Sequence, residues 1–455
     1  MSPHKTKYRL GYLIIVCCIL LVSGAIVFRF PNRGSDQNNP LASQRSVAKI
    51  TLEKEHPNKS QLHSRHLELG IITGRTDKLD REESVIMNDP ALKQAWGIEK
   101  ANALKAWRIT QGSEKLVVAV IDTGCDLKHE DLADNYWTNP GEIRDGKDND
   151  GNGFVDDIHG WNFVSNNNDL TDNHGHGTHV AGIIGAIANN GKGLAGVSPK
   201  VRLMCLKYYD PKNPSDHLKN TIKAIQYAIK MKAHIINYSG GGIEPSAEEQ
   251  SIIEAAQNQG ILFVAAAGNE RSNSDIHKYY PADYGLENII SVTAIDPSNS
   301  ILPSSNYGTQ TVDLAAPGHN ILSTLPGSTY GFMTGTSQAT AFVSGAAVLV
   351  WSRHPHFAYH EVKRYILQTG TMDENLLKKT RTARVLNLLK ALTMMDNTLT
   401  LTGLSGPSTQ PISSDNPFSV DSQNPFKPFI ELNIFSKKLQ EKSIQSREAS
   451  QPTNQ

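Results

Sequence analysis

The sequence predicts an α/β fold: a doubly wound, mostly parallel sheet with helices on both faces. Three observations carry that expectation. Between about residues 88 and 392, short apolar runs recur without a polar break, as expected of strands buried on both faces. Amphipathic stretches with apolar residues at helical spacing separate them. The two types alternate, which calls for parallel neighbours joined by crossover helices. Leu116–Ile121 (LVVAVI) is the first strand, by its branched apolar residues, and Val201–Leu206 the next. His217–Lys230 is a helix, because Ile222, Ile225 and Ile229 fall on one face. Ala233–Tyr238 follows as a strand. Ala247–Gln259 is a helix that Gly260 ends. Ile261–Ala266 and Ile289–Ala294 are further strands. Phe342–Val350 continues a loop into a buried helix rich in small residues.

The flanks differ from this core. Residues 1–29 hold Lys5, Lys7 and Arg9 ahead of an uncharged run from Leu10 to Phe28, closed by Arg29. At about 1.5 Å per residue this run spans roughly 28 Å, close to the thickness of a bilayer core. A cleaved signal peptide, with Ser23, Gly24 and Ala25 as the cleavage region, and an uncleaved membrane anchor through residues 10–28 both fit. Either one puts the rest of the chain outside the cytoplasm, so a secreted, periplasmic or membrane-anchored protein is expected. Residues 30–86 read as a linker or short pro-segment. Residues 87–395 form the predicted α/β domain. Residues 396–455 are rich in Ser, Thr, Asn, Gln and Pro and read as disordered. Asn416-Pro417-Phe418 recurs as Asn424-Pro425-Phe426, as a docking motif or as a chance repeat in a biased tail.

The 455 residues carry 45 Lys+Arg against 45 Asp+Glu, so no surplus of positive charge points to nucleic acid. Mean hydropathy is -0.38, consistent with a water-soluble body, and a monomer is expected. Four cysteines in this length make no disulfide scaffold. Cys125 and Cys205 allow a bridge only if their strands are neighbours, and two unpaired, partly buried thiols are the expectation.

Three motifs carry chemistry. Val120-Ile121-Asp122-Thr123-Gly124 puts an acid at the carboxyl end of a buried strand, where open parallel sheets hold their sites. Aspartic proteases share the Asp-Thr-Gly triplet, but they need two such carboxylates in an all-β setting. An Asp that only caps the turn is the plain alternative. His174-Gly175-His176-Gly177-Thr178-His179 begins a helix. The cluster suggests either a metal or a general base. No acid stands at zinc-helix spacing, so the base is favoured, and an imidazole suits proton transfer near neutral pH. Gly335-Thr336-Ser337-Gln338-Ala339-Thr340-Ala341 places Ser337 at a helix N-terminus, where free N–H groups favour negative charge developing beside the hydroxyl. A simple N-cap serine would look the same.

Asp, then His, then Ser, in that chain order, resembles the subtilisin-like serine proteases, the subtilase family, over about 300 residues from Asn88 to Leu392. The resemblance implies an exported serine endopeptidase acting on polypeptides through an acyl-enzyme, with Asp122, His176 and Ser337 as the triad. It implies Asn269 as an oxyanion donor together with the Ser337 N–H. It implies Ser239, Gly240 and Gly241 as a substrate-pairing strand, with Ala267 and Gly268 lining the first specificity pocket. Tyr279 stands at the expected pocket floor, beside Tyr280-Pro281, a pair often joined by a cis bond in the family, and a bulky floor suits small residues. Where the family usually has Pro, Ala341 stands four residues after Ser337. A membrane-tethered processing protease with a dedicated substrate, and a catalytically silent binding domain on the same fold, remain as alternatives.

The resemblance also implies a structural calcium, with none needed for the chemical step. Asp89, Asp131, the Asn190 side chain and the carbonyls of Ile187, Lys192 and Leu194 are its oxygen ligands. Independently, Asp148, Asp150, Asn152 and Asp156 occupy positions 1, 3, 5 and 9 of a calcium-type loop, with Gly153 at 6. Position 12 is His159, so Asp157 or another segment has to complete it.

Overall fold

The computed structural model describes residues 87–213 and 216–394, together with the strand β1 (Val27–Phe28). The segments expected as signal or anchor, pro-segment and tail otherwise lie outside the described residues, as do both Asn-Pro-Phe copies. Among the described residues no helix is long and apolar enough to cross a membrane.

The expected α/β architecture is present. A nine-stranded sheet is built from β2 (Gly112–Asp122), β3 (Gly160–Asn162), β4 (Lys200–Lys207), β5 (Ile235–Tyr238), β6 (Leu262–Ala266), β7 (Ile289–Ile295), β8 (Leu314–Pro317), β11 (Thr371–Met372) and β12 (Arg384–Val385). Its order is β11-β12-β8-β7-β6-β5-β2-β4-β3, and every pairing is parallel except that of β11 with β12. A small antiparallel sheet joins β1, β10 (Thr329–Met333) and β9 (Ile321–Leu325).

The helices are α1 (Trp96–Lys100), α2 (Ala103–Ala106), α3 (His176–Gly185), α4 (His217–Lys230), α5 (Ala247–Asn258), α6 (Thr336–Arg353), α7 (Tyr359–Thr369) and α8 (Leu388–Thr393). Successive strand residues point to opposite faces, and two main cores result, with a third small cluster of Ile295, Ala315, Leu376, Ala383 and Val385. Val118, Val120, Leu203, Ile235, Val264 and Val292 pack with α3 and α6. Ala119, Ile121, Met204, Ile236 and Phe263 pack with α4 and α5. The helix α6 is buried along nearly its whole length, which explains its small residues and lack of a polar face.

The expectation of two free thiols is overturned: Cys125 and Cys205 form a disulfide, with Cα atoms 6.3 Å apart. The reason is topological. Cys205 lies on β4 opposite Val120 of β2, and the chain turns back just after β2, so Cys125 returns over the strand next door. Adjacency of β2 and β4, 80 residues apart in the disulfide loop, cannot be read from local pattern.

Candidate active site

The chain leaves β2 towards β4 on one side, while β5 pairs with β2 on the other. The crevice at such a switch lies beyond the carboxyl ends of the strands. Asp122 is the last residue of β2 and is buried. The turn behind it needs Gly124: its φ is 119°, and a Cβ there would come within 2.6 Å of the Leu170 carbonyl. His176 opens α3. The close approach of α3 to the β2 turn depends on Gly177, where a Cβ would lie 2.2 Å from the Gly124 carbonyl. The result is a 2.7 Å contact between His176 Nδ1 and Asp122 Oδ1. The same Oδ1 accepts the Thr123 N–H at 2.8 Å.

Burial pulls the His176 pKa down, but the Asp122 charge, its hydrogen bond and the Asp172 charge outweigh that and leave it above the usual 6.5. The other two histidines differ. Burial, with the His176 charge, pushes His179 down to about 3, and its Nε2 meets the carbonyls of Ile321 and Gly331 at 2.9 and 3.2 Å. Burial also lowers His174. His179 therefore joins α3 to the small sheet, and of the three histidines only His176 hydrogen-bonds an acid among the described residues.

Ser337 is the second residue of α6. Its Oγ donates to the Ser239 carbonyl at 3.2 Å, and the Ser239 Oγ donates back to the Ser337 carbonyl at 3.4 Å. No hydrogen bond joins Ser337 to His176 among the described residues. Asn269 follows β6, and its Oδ1 accepts both the N–H of Thr336 (3.1 Å) and its hydroxyl (3.2 Å). That fixes the amide with its NH₂ turned away from Thr336. Ala341 is fully buried in α6.

Beside Ser337, Gly240 and Gly241 make no backbone hydrogen bond among the described residues, whereas Gly242 pairs with Tyr280 at 2.8 and 2.7 Å. The Tyr280-Pro281 bond is cis. The Tyr279 ring fills the gap between this segment and the turn before Asn269. A Cβ on Gly241 would lie 2.5 Å from its Cε1, and one on Gly268 2.9 Å from its Cγ. Ala267 is buried at the base of that turn.

Two oxygen-rich clusters lie apart from these groups. In the first, Asp89 and Asp131 are both buried. Asp89 accepts the amides of Asn189 (3.0 Å) and Asn190 (3.3 Å). Asp131 accepts the Asn190 Nδ2 (2.7 Å) and the Leu194 amide (3.0 Å). Burial, with the nearby Asp89 charge, raises Asp131 to about 6. The carbonyls of Ile187, Lys192 and Leu194 accept no hydrogen bond among the described residues. Buried carboxylates and spare carbonyls in one loop fit a hard cation.

In the second, single oxygens of Glu142, Asp150 and Asp157 lie within 4.8 Å of one another. Asp157 accepts Tyr227 Oη at 2.5 Å and the amide nitrogens of Asn139 and Asn152 at 2.9 and 2.8 Å. Asp148 instead holds the Asn152 and Gly153 amides (3.0 and 2.7 Å), and Asp156 those of Asp145 and Gly146 (3.0 and 3.1 Å). Of the loop residues read from spacing, Asp150 belongs to the cluster, and Asn152 donates its side-chain amide to it. Asp157 and the distant Glu142 complete it. Glu142 carried no local signal, because it precedes the loop.

The subtilase family model matches residues 113–389. The chain is 40% identical to the thermophilic serine proteinase of Bacillus sp. (strain AK1) over 265 residues, 58% of this chain and 59% of that protein. It is 36% identical to subtilisin-like protease 1 of Plasmodium falciparum (isolate 3D7) over 297 residues, 60% of this chain and 43% of that protein. With subtilisin-like protease 1 of Plasmodium vivax the identity is 33% over 328 residues, 68% and 52% of the two chains. The chain thus spans about half the length of these relatives. With the family model covering more than half of the chain, and an acid, an imidazole and an alcohol at the expected element ends, the chain belongs to the subtilase family.

Proposed function

We infer that this chain is a serine endopeptidase that hydrolyses polypeptides through an acyl-enzyme. The observation that carries the reading is the 2.7 Å contact between Asp122 and His176, at the strand end facing the N-terminus of α6. In this reading Ser337 Oγ attacks the peptide carbonyl and its proton passes to His176 Nε2. His176 then returns that proton to the leaving amine as the C–N bond breaks, and water repeats the sequence to free the acid. Asp122 holds the imidazole tautomer and balances its charge. The Ser337 hydroxyl first exchanges its bond to the Ser239 carbonyl for one to His176, an adjustment common between free and substrate-bound sites. The Asn269 NH₂ and the Ser337 N–H receive the developing oxyanion.

The free backbone at Gly240 and Gly241 suits pairing with an extended peptide. The residue whose carbonyl sits between Ser337 and Asn269 then points its side chain at the Tyr279 ring, so small side chains are favoured there. Calcium is read as structural, held by Asp89, Asp131, Asn190 and the three carbonyls. A second ion between Glu142, Asp150 and Asp157 is consistent with the oxygen set there. The cationic and apolar N-terminus supports export. Labelling of the full chain with a fluorophosphonate tests the reading: covalent modification at Ser337 is expected, and an unlabelled folded protein contradicts it.

A further inference from the structure

The carboxylate of Asp172 is buried, with the residue 6% exposed, and accepts five hydrogen bonds. Its Oδ1 takes the Thr123 hydroxyl (2.8 Å) and the amides of His174 (3.0 Å) and Gly175 (2.7 Å). Its Oδ2 takes the amide (2.9 Å) and hydroxyl (2.7 Å) of Thr178. Because the Thr123 hydroxyl donates to Asp172, its lone pair is free to accept the Gly177 amide at 2.9 Å. One side chain therefore clamps the turn that follows Asp122 to the first turn of α3, which carries His176. No lysine or arginine among the described residues forms an ion pair with it. The amides and the positive end of α3 compensate its charge instead.

We propose that Asp172 is a positioning residue for His176. It sets the distance between the β2 turn and α3, and it supplies a second negative charge towards the imidazolium that exists while the Ser337 proton rides on the ring. This rests on the protease reading above. Other titratable groups also act on His176 or share its surroundings, and none of them is removed by a change at Asp172. They are Asp122 at the end of β2, His174 with its ring 6.1 Å away, and His179 on α3. Removing the Asp172 charge lowers the imidazole's proton affinity, because one attraction for the cation is lost.

The test uses the full chain carrying Asp172→Asn and, separately, Asp172→Glu, assayed on a peptide substrate across pH. For Asp172→Asn the expected result is a kcat about tenfold or more lower with KM within about threefold. The acid limb of kcat/KM is expected to move down by roughly half a pH unit. Asp172→Glu, which keeps the charge, returns the limb towards the wild-type position. An acid limb coincident with wild type, with activity falling only in step with the folded fraction, overturns the proposal. If Asp172→Asn does not fold, Thr123→Val severs the clamp with the charge retained. A lowered kcat at an unmoved limb is then expected, and an unchanged kcat overturns the proposal. Wild-type protein that lacks Ser337-dependent hydrolysis removes the protease reading itself, which is a separate result.

Discussion

At the residue scale, the proposed chemistry turns on which groups compete for His176. Burial disfavours the charged ring, and two carboxylates more than offset it, so the free enzyme holds its proton to a pH above 6.5. In the proposed mechanism the base must be unprotonated to accept the serine proton, so activity is expected to fall as the imidazole takes up its proton. The acid limb of kcat/KM is therefore expected above pH 6.5, and a titration of rate against pH checks it. Tyr279 gives a second residue-level outcome. Its ring occupies the gap between Gly241 and Gly268. Tyr279→Gly is expected to raise kcat/KM for peptides with Phe or Leu before the cut bond about tenfold or more relative to Ala. Paired peptides measure the ratio, and a wild type that already prefers Phe contradicts the reading. In the proposed mechanism the Asn269 amide, oriented by its bonds to Thr336, is a donor of the kind whose loss in subtilisin is known to cost about 10²–10³ in kcat.

At the element scale, the disulfide ties the turn after β2 to β4, across a sequence separation of 80. Changing both Cys125 and Cys205 to Ala is expected to lower stability by about 2–4 kcal/mol, read by urea unfolding, because the unfolded chain regains the freedom of a long loop. An unchanged midpoint counts against that account. The contrast with the elements themselves is instructive. His217–Lys230 was legible to the residue from the stripe of Ile222, Ile225 and Ile229, and the structure adds an Asp216 side chain that caps it. The strand at Leu116–Ile121 was legible in its apolar part, but it extends back to Gly112, which pairs with Lys200 across a register shift before Val117. The positions of Asp122, His176 and Ser337 at element ends, and of Asn269 just beyond β6, were legible because each lies within a distinctive local motif. Asp172, Glu142 and the cysteine pair were not. The cysteine pair, and the reach of Asp172 to Thr123, depend on how distant segments are brought together, and Glu142 is a lone acid in a polar loop with no periodic signature.

At the scale of the whole molecule, Asp89, Asp131 and Asn190, drawn from three separate segments, share no hydrogen bond with Asp122, His176 or Ser337 among the described residues. Without a cation, the fold favours protonated Asp131, whose pKa moves from 3.8 to about 6. A raised carboxylate stabilises the fold below its unfolded value, and that contribution is lost as pH rises through about 6. Chelation is therefore expected to lower Tm at pH 7.5 and to do so less at pH 5, while the chemical step in surviving protein is unaffected. Equal melting curves with and without EDTA at pH 7.5 contradict a structural cation. The central claim is that Ser337, served by His176 and Asp122, is the nucleophile that opens peptide bonds. Hydrolysis of an unfolded polypeptide by the purified full chain, compared with Ser337→Ala, tests it most directly. The account predicts cleavage by the wild type and a fall of several orders of magnitude in the folded variant. Undiminished cleavage by Ser337→Ala would contradict it.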